Sequence, residues 1–134
     1  MIIQKIEIFK YDIPLKAPIR IALGTIWEAR NILVKITTEE GSYGLGEGSP
    51  FSMIVGETQE SALANAQHFG RLLLGRDASD ISGNLMVLDQ YLPQNYTCKS
   101  AFDMALYDLN AKMAGMPLYR YLGGANRVLV TDET

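Results

Sequence analysis

The sequence predicts an α+β domain in which a three-stranded antiparallel meander is followed by a bundle of three to four helices. Apolar residues recur with period two as far as Ser49 and at helical spacing from Thr58 onward. The strands precede the helices instead of alternating with them, which is the order of an α+β fold. The 134 residues, 48% hydrophobic and 20% charged, suffice for one core and exclude a disordered chain.

Residues 2–11 form the first strand, with Ile6 and Ile8 alternating with Glu7 and Phe9. Pro14 and Pro18 then break regular pairing. In the second strand, residues 31–38, Ile32, Val34 and Ile36 share one face, and Leu33, Lys35 and Thr37 the other. Thr38-Glu39-Glu40-Gly41 supplies a turn. Residues 42–49 make a glycine-rich third strand against the second.

Thr58 caps a helix over residues 59–74, with Glu57 and Glu60 at its positive end and Leu63, Ala66, Gly70 and Leu73 as its apolar stripe. A second helix spans 81–92, with Ile81, Leu85, Leu88 and Leu92 on one face and Pro93 beyond it. Asn95 or Thr97 caps a third over 98–114. Its buried face is Ala101, Ala105 and Leu109, with Met104 beside them, so a charge at Met104 is expected to cost several kcal/mol. Pro117 suits the first turn of a short fourth helix, and residues 127–134 begin another extended segment.

Composition excludes several functions. The net charge of −3 and the lack of a basic stripe argue against nucleic acid. One cysteine, Cys98, and one histidine, His68, allow neither a disulfide framework nor a Cys/His zinc site. Charges interrupt the N-terminal apolar stretch, and no run reaches the ~20 apolar residues of a membrane span. A soluble, cytoplasmic protein with no membrane partner is expected.

Gly44-Leu-Gly-Glu-Gly48 lacks the GxGxxG spacing, and Ser49-Pro50 follows it instead of a helix. A strand closely approached by another backbone fits better than a phosphate loop. His68 has no partner at helical spacing, Cys98 reads as a small buried residue, and no three carboxylates cluster for a metal ion. Two loops stand out. Residues 16–28 hold Pro18, Arg20, Gly24, Thr25 and Trp27, and residues 50–57 hold Phe51, Met53, Ile54 and Val55. Such apolar loops either meet a ligand or another domain, or fold back on their own core. Residue chemistry alone leaves both readings open and gives no reaction.

The run from Ser100 to Gly124, Ser-Ala-Phe-Asp-Met-Ala-Leu-Tyr-Asp-Leu-Asn-Ala-Lys-Met-Ala-Gly-Met-Pro-Leu-Tyr-Arg-Tyr-Leu-Gly-Gly, resembles the signature helix of the enolase superfamily's N-terminal capping domain, muconate-lactonizing subgroup. The stretches Gly44–Pro50 and Ile6–Pro18 resemble the strands leading to its two cap loops. The resemblance implies a cap over residues 1–126, with residues 127–134 starting the first strand of a (β/α)8 barrel that is absent from this chain. In that family three barrel carboxylates hold Mg2+ and a lysine stands on each side of the substrate, so no catalytic or metal-binding residue is expected in this segment. The two loops correspond to those that close over substrate. Ile19, Gly24, Phe51 and Ile54 are thereby implied to face the pocket, and Thr134 to touch substrate from the first barrel strand.

Ile21-Ala-Leu-Gly-Thr25 and residues 28–34 resemble the dipeptide epimerases, isomerases that act by 1,1-proton transfer. Relatives acting on Ala-Glu place an arginine where Gly24 stands, so the resemblance implies a small or apolar dipeptide such as Ala-Ala. The alternatives are the cap of a muconate cycloisomerase, an o-succinylbenzoate synthase or an N-acylamino acid racemase, or a free-standing binding module. The expected partners are a dipeptide substrate and the chain's own barrel, and a homo-oligomer is left open.

Overall fold

The computed structural model describes residues 1–131. Strands β1 (Ile3–Ile21), β2 (Gly24–Thr38) and β3 (Tyr43–Gly48) form one antiparallel sheet in that order, the meander expected from the sequence. Helices α1 (Ser52–Val55), α2 (Gln59–Leu73), α3 (Ile81–Tyr91), α4 (Tyr96–Met113) and α5 (Leu118–Tyr121) follow, with α1 and α5 single turns. The two-fold period of β2 turns Ile32, Val34 and Ile36 inward, where all three are fully buried.

Their cross-strand partners on β3 are Gly48, Gly46 and Gly44. These positions carry no side chain because α4 lies against them. A Cβ built on Gly46 would stand 1.9 Å from the Ala101 carbonyl oxygen, and one on Gly44 2.1 Å from that of Ala105. The glycine-rich strand is thus the site of close backbone approach, and the small faces of Ala101 and Ala105 complete it. Phe69 of α2 and Phe102 of α4 meet edge to face, ring centroids 5.9 Å apart, at the centre of the core.

The structure differs from the sequence reading first in the hairpin. Residues 16–28 are not a loop. They are the outer half of a long β1–β2 hairpin that turns at Ala22-Leu23. The prolines do not end β1 because it is an edge strand, whose outer N–H groups need no sheet partner. Pro14 pairs with Glu28, and pairing resumes at Ile19↔Ile26, so residues 15–18 bulge opposite Trp27.

Met104 is the second difference. It is 40% exposed, because the buried face of α4 is carried by Ala101, Phe102, Ala105, Leu106 and Leu109. Met104→Asp is therefore expected to change stability by no more than about 0.5 kcal/mol, checked by its urea midpoint. A large loss would place Met104 against another surface in the complete protein.

The third is the start of α4. Asn95 is its N-cap residue but sits in the left-handed region and makes no side-chain cap; the cap comes from another segment. By contrast, Thr58 caps α2 as expected, in a reciprocal pair with Ser61. Asp80 caps α3 through the Gly83 N–H at 3.0 Å.

Residues 124–131 have no helix or strand. Within them Val128, Leu129 and Val130 are 91%, 79% and 92% exposed. No helix among the described residues is long and apolar enough to cross a membrane.

Candidate functional site

The outer half of the β1–β2 hairpin and the segment from Ser49 to Glu60 enclose a cleft of about 410 Å3. The hairpin wall contributes Leu15, Ile19, Thr25 and Ile26, and the facing wall Pro50 and Phe51. The two segments that sequence reading singled out therefore meet. Glycine-rich β3 ends at Gly48, and Ser49-Pro50-Phe51 connects it to α1.

The implied site residues divide. Ile19 and Phe51 lie on the cleft from opposite walls. Gly24 lies at the hairpin turn, outside the lining, with φ 146°, a conformation L side chains rarely adopt. Its identity therefore has a backbone reason there. Ile54, 69% exposed, lies on α1 beside the cleft without lining it. Thr134 falls outside the described residues.

Polar side chains that sequence reading did not single out for the site line the root of the cleft: Glu28, Arg30, Glu57, Gln59 and Glu60. Arg30 donates to Glu60 Oε1 at 2.6 Å and to Gln59 Oε1 at 3.3 Å. Glu57, between α1 and α2, is only 8% exposed. Its carboxylate accepts from the backbone N–H groups of Thr97 at 3.1 Å and Cys98 at 3.2 Å. Glu57 therefore caps the N-terminus of α4, forty residues away, and not that of α2. A carboxylate just ahead of a Thr-x-x-Ser box was legible as a helix-dipole partner, but which helix it served was not.

Cys98 is buried, and its thiol is pushed up to about 12, first by burial and then by the Glu57 charge, with Lys99 opposing. It is a packed thiol and not a nucleophile. His68 is exposed and lies against the Tyr91 ring, 6.3 Å between centroids, away from the cleft. Among the described residues no three His, Cys, Asp or Glu side chains could hold a metal ion. The cleft can thus bind, orient and exclude water, but among the described residues it presents no metal centre and no nucleophile–base pair.

Comparison with known proteins gives the family. Residues 3–123 match the family model of the mandelate racemase / muconate lactonizing enzyme N-terminal domain. The D-Ala-D/L-Ala epimerase of Cytophaga hutchinsonii is 42% identical over 135 residues, covering the whole chain and 37% of that protein. The hydrophobic dipeptide epimerase of Enterococcus faecalis is 38% identical over 134 residues, again the whole chain and 38% of that protein. A crystal structure of the dipeptide epimerase from Cytophaga hutchinsonii, complexed with Mg and the dipeptide D-Ala-L-Val, superposes with a TM-score of 0.91, covering 93% of this chain and 34% of that one. The chain spans well under half the length of these relatives. It belongs to the N-terminal domain family of the mandelate racemases and muconate lactonizing enzymes, in the enolase superfamily.

Proposed function

We propose that this chain is the specificity and capping domain of a dipeptide epimerase acting on small or apolar dipeptides such as Ala-Ala. The observation that carries this reading is the cleft between the hairpin and the Ser49–Glu60 segment, with apolar side chains on both walls above a polar root, in a chain 42% identical over its whole length to a D-Ala-D/L-Ala epimerase. Leu15, Ile19, Ile26 and Phe51 offer apolar area to a substrate side chain, and Gly24 sets no cation at the hairpin turn. Closure of these walls would exclude water while a proton is removed from the α-carbon and returned to its opposite face.

Among the described residues no three His, Cys, Asp or Glu side chains could hold magnesium. Ion, base and acid belong to a barrel of about 200 residues or more beyond the cap. Residues from 127 onward would lead into its first strand, and pairing there would cover the exposed Val128-Leu129-Val130 run. Ile54 would reach over the mouth from α1.

The test is α-proton exchange in deuterated water, followed by NMR, with the full-length protein and a dipeptide panel. Exchange in Ala-Ala and small apolar dipeptides is the expected result. A strong preference for Ala-Glu would overturn the specificity, and exchange or turnover confined to muconate, succinylbenzoate or N-acylamino acid substrates would overturn the reaction. Within the same assay, Phe51→Ala should raise KM about tenfold, equivalent to ~1.4 kcal/mol of binding, or change the preferred side chain, and leave the fold intact. An unfolded variant would make Phe51 a core residue.

A further inference from the structure

One side chain fastens the root of the hairpin to the opposite wall of the cleft. Gln59, the first residue of α2, is 3% exposed. Its Nε2 donates to Asp12 Oδ1 at 2.6 Å and to the Asn31 carbonyl oxygen at 2.8 Å. Its Oε1 accepts from Arg30 Nη2 at 3.3 Å. Both amide hydrogens and the amide oxygen are thus spent on the hairpin, on β1 through Asp12 and on β2 through Arg30 and Asn31. Asp12 and Arg30 are direct cross-strand partners, so Gln59 grips both strands at one level. Arg30 continues to Glu60 on α2 at 2.6 Å, which doubles the attachment.

Just above this level the hairpin loses its regular pairing. After Pro14↔Glu28 the ladder resumes at Ile19↔Ile26, with residues 15–18 bulged opposite Trp27. The root below the bulge is held by the Gln59 bonds, of which the one to the Asn31 carbonyl is buried. The tip, 19–26, is joined to it through a break in the ladder, where local opening is easiest. Ile19, Thr25 and Ile26 of the tip line the cleft, while Gln59 lines it from the other wall.

We propose that Gln59 is a positioning residue that locks the hairpin root to α2, so that only the tip beyond the bulge moves when substrate enters. Without the lock the whole hairpin swings, and the wall carrying Ile19 and Ile26 no longer stands at a fixed distance from Phe51. This inference rests on the capping-domain reading above for its kinetic consequence, but not for its effect on backbone motion.

The test uses the full-length protein with Gln59→Met, which keeps the volume and removes the three bonds, and Asp12→Ala, which removes one. Asp12→Asn retains an acceptor for Gln59 Nε2 and serves as the conservative rescue. Amide hydrogen exchange is followed across the hairpin, with KM and kcat on the preferred dipeptide. Gln59→Met and Asp12→Ala should speed exchange at residues 10–13 and 28–32 about tenfold. KM should rise five- to tenfold with a smaller change in kcat, and Asp12→Asn should stay close to the unmodified protein.

Unchanged exchange at the root in a folded Gln59→Met protein would overturn the lock. So would acceleration spread equally over β3 and α4, since that is the mark of a general structural role. Faster exchange at the root with unaltered KM would overturn the positioning role. If Gln59→Met does not fold, the contrast between Asp12→Ala and Asp12→Asn decides. Absence of dipeptide turnover in the unmodified protein would sink the epimerase reading, and the exchange measurement would still decide the lock.

Discussion

Gly46→Ala is expected to destabilise the domain by about 3 kcal/mol or more, enough to leave a marginal fold largely unfolded. The new methyl carbon would lie 1.9 Å from the Ala101 carbonyl oxygen and 2.7 Å from the Ala105 nitrogen. Both are backbone atoms inside α4, so neither can rotate away. Either β3 or the helix must move, and the movement would open the contact between Val34, paired with Gly46, and the helix layer. The three glycines also predict an order. Gly44→Ala, 2.1 Å from the Ala105 oxygen, should be nearly as damaging, and Gly48→Ala, 2.8 Å from the Thr97 oxygen, the mildest. Urea midpoints of the three variants check this. A Gly46→Ala protein as stable as the parent would refute the seating of α4 on β3.

Glu57→Ala should cost about 2–3 kcal/mol, the range for losing charge-assisted hydrogen bonds at a buried site. Its carboxylate satisfies the Thr97 and Cys98 N–H groups at the start of an 18-residue helix, whose own N-cap residue supplies no side-chain bond. Glu57→Gln keeps one acceptor and loses the charge that favours a helix N-terminus, so about half the loss is expected. A second readout separates this role from mere packing. The Glu57 charge is the second cause, after burial, of the raised Cys98 thiol pKa. Removing that charge should lower the thiol's apparent pKa, read as alkylation rate against pH, while burial still holds it above the ordinary thiol range. An unchanged profile together with unchanged stability would mean that Glu57 does not cap α4.

Much of the fold was legible because its signals are local. The alternation of Ile32, Val34 and Ile36 required one buried sheet face. Thr58 started α2, and Ala101, Ala105 and Leu109 marked the buried face of α4. The length of the hairpin was not legible. Proline is a poor strand residue in general, and only the edge position of β1 makes Pro14 and Pro18 tolerable. Met104 misled for a similar reason. An apolar residue beside a buried stripe says nothing about which side of the helix lacks a neighbour.

The sequence by itself determined the α+β class, the order of the elements, the family, and the two segments whose apolar residues needed explaining. Each of these rests on periodicity, capping or a contiguous motif, all readable along the chain. Only the tertiary structure decided that those segments face one another as walls of one cleft. It also showed that Ile19 and Phe51 share that cleft while Gly24 and Ile54 stand at its margins. The same holds for Glu57 serving α4 and Gln59 gripping Asp12, Arg30 and Asn31. These are contacts between residues some thirty to fifty positions apart. They exist because the sheet and α2 bring the chain back on itself, and no local pattern encodes which polar group meets which.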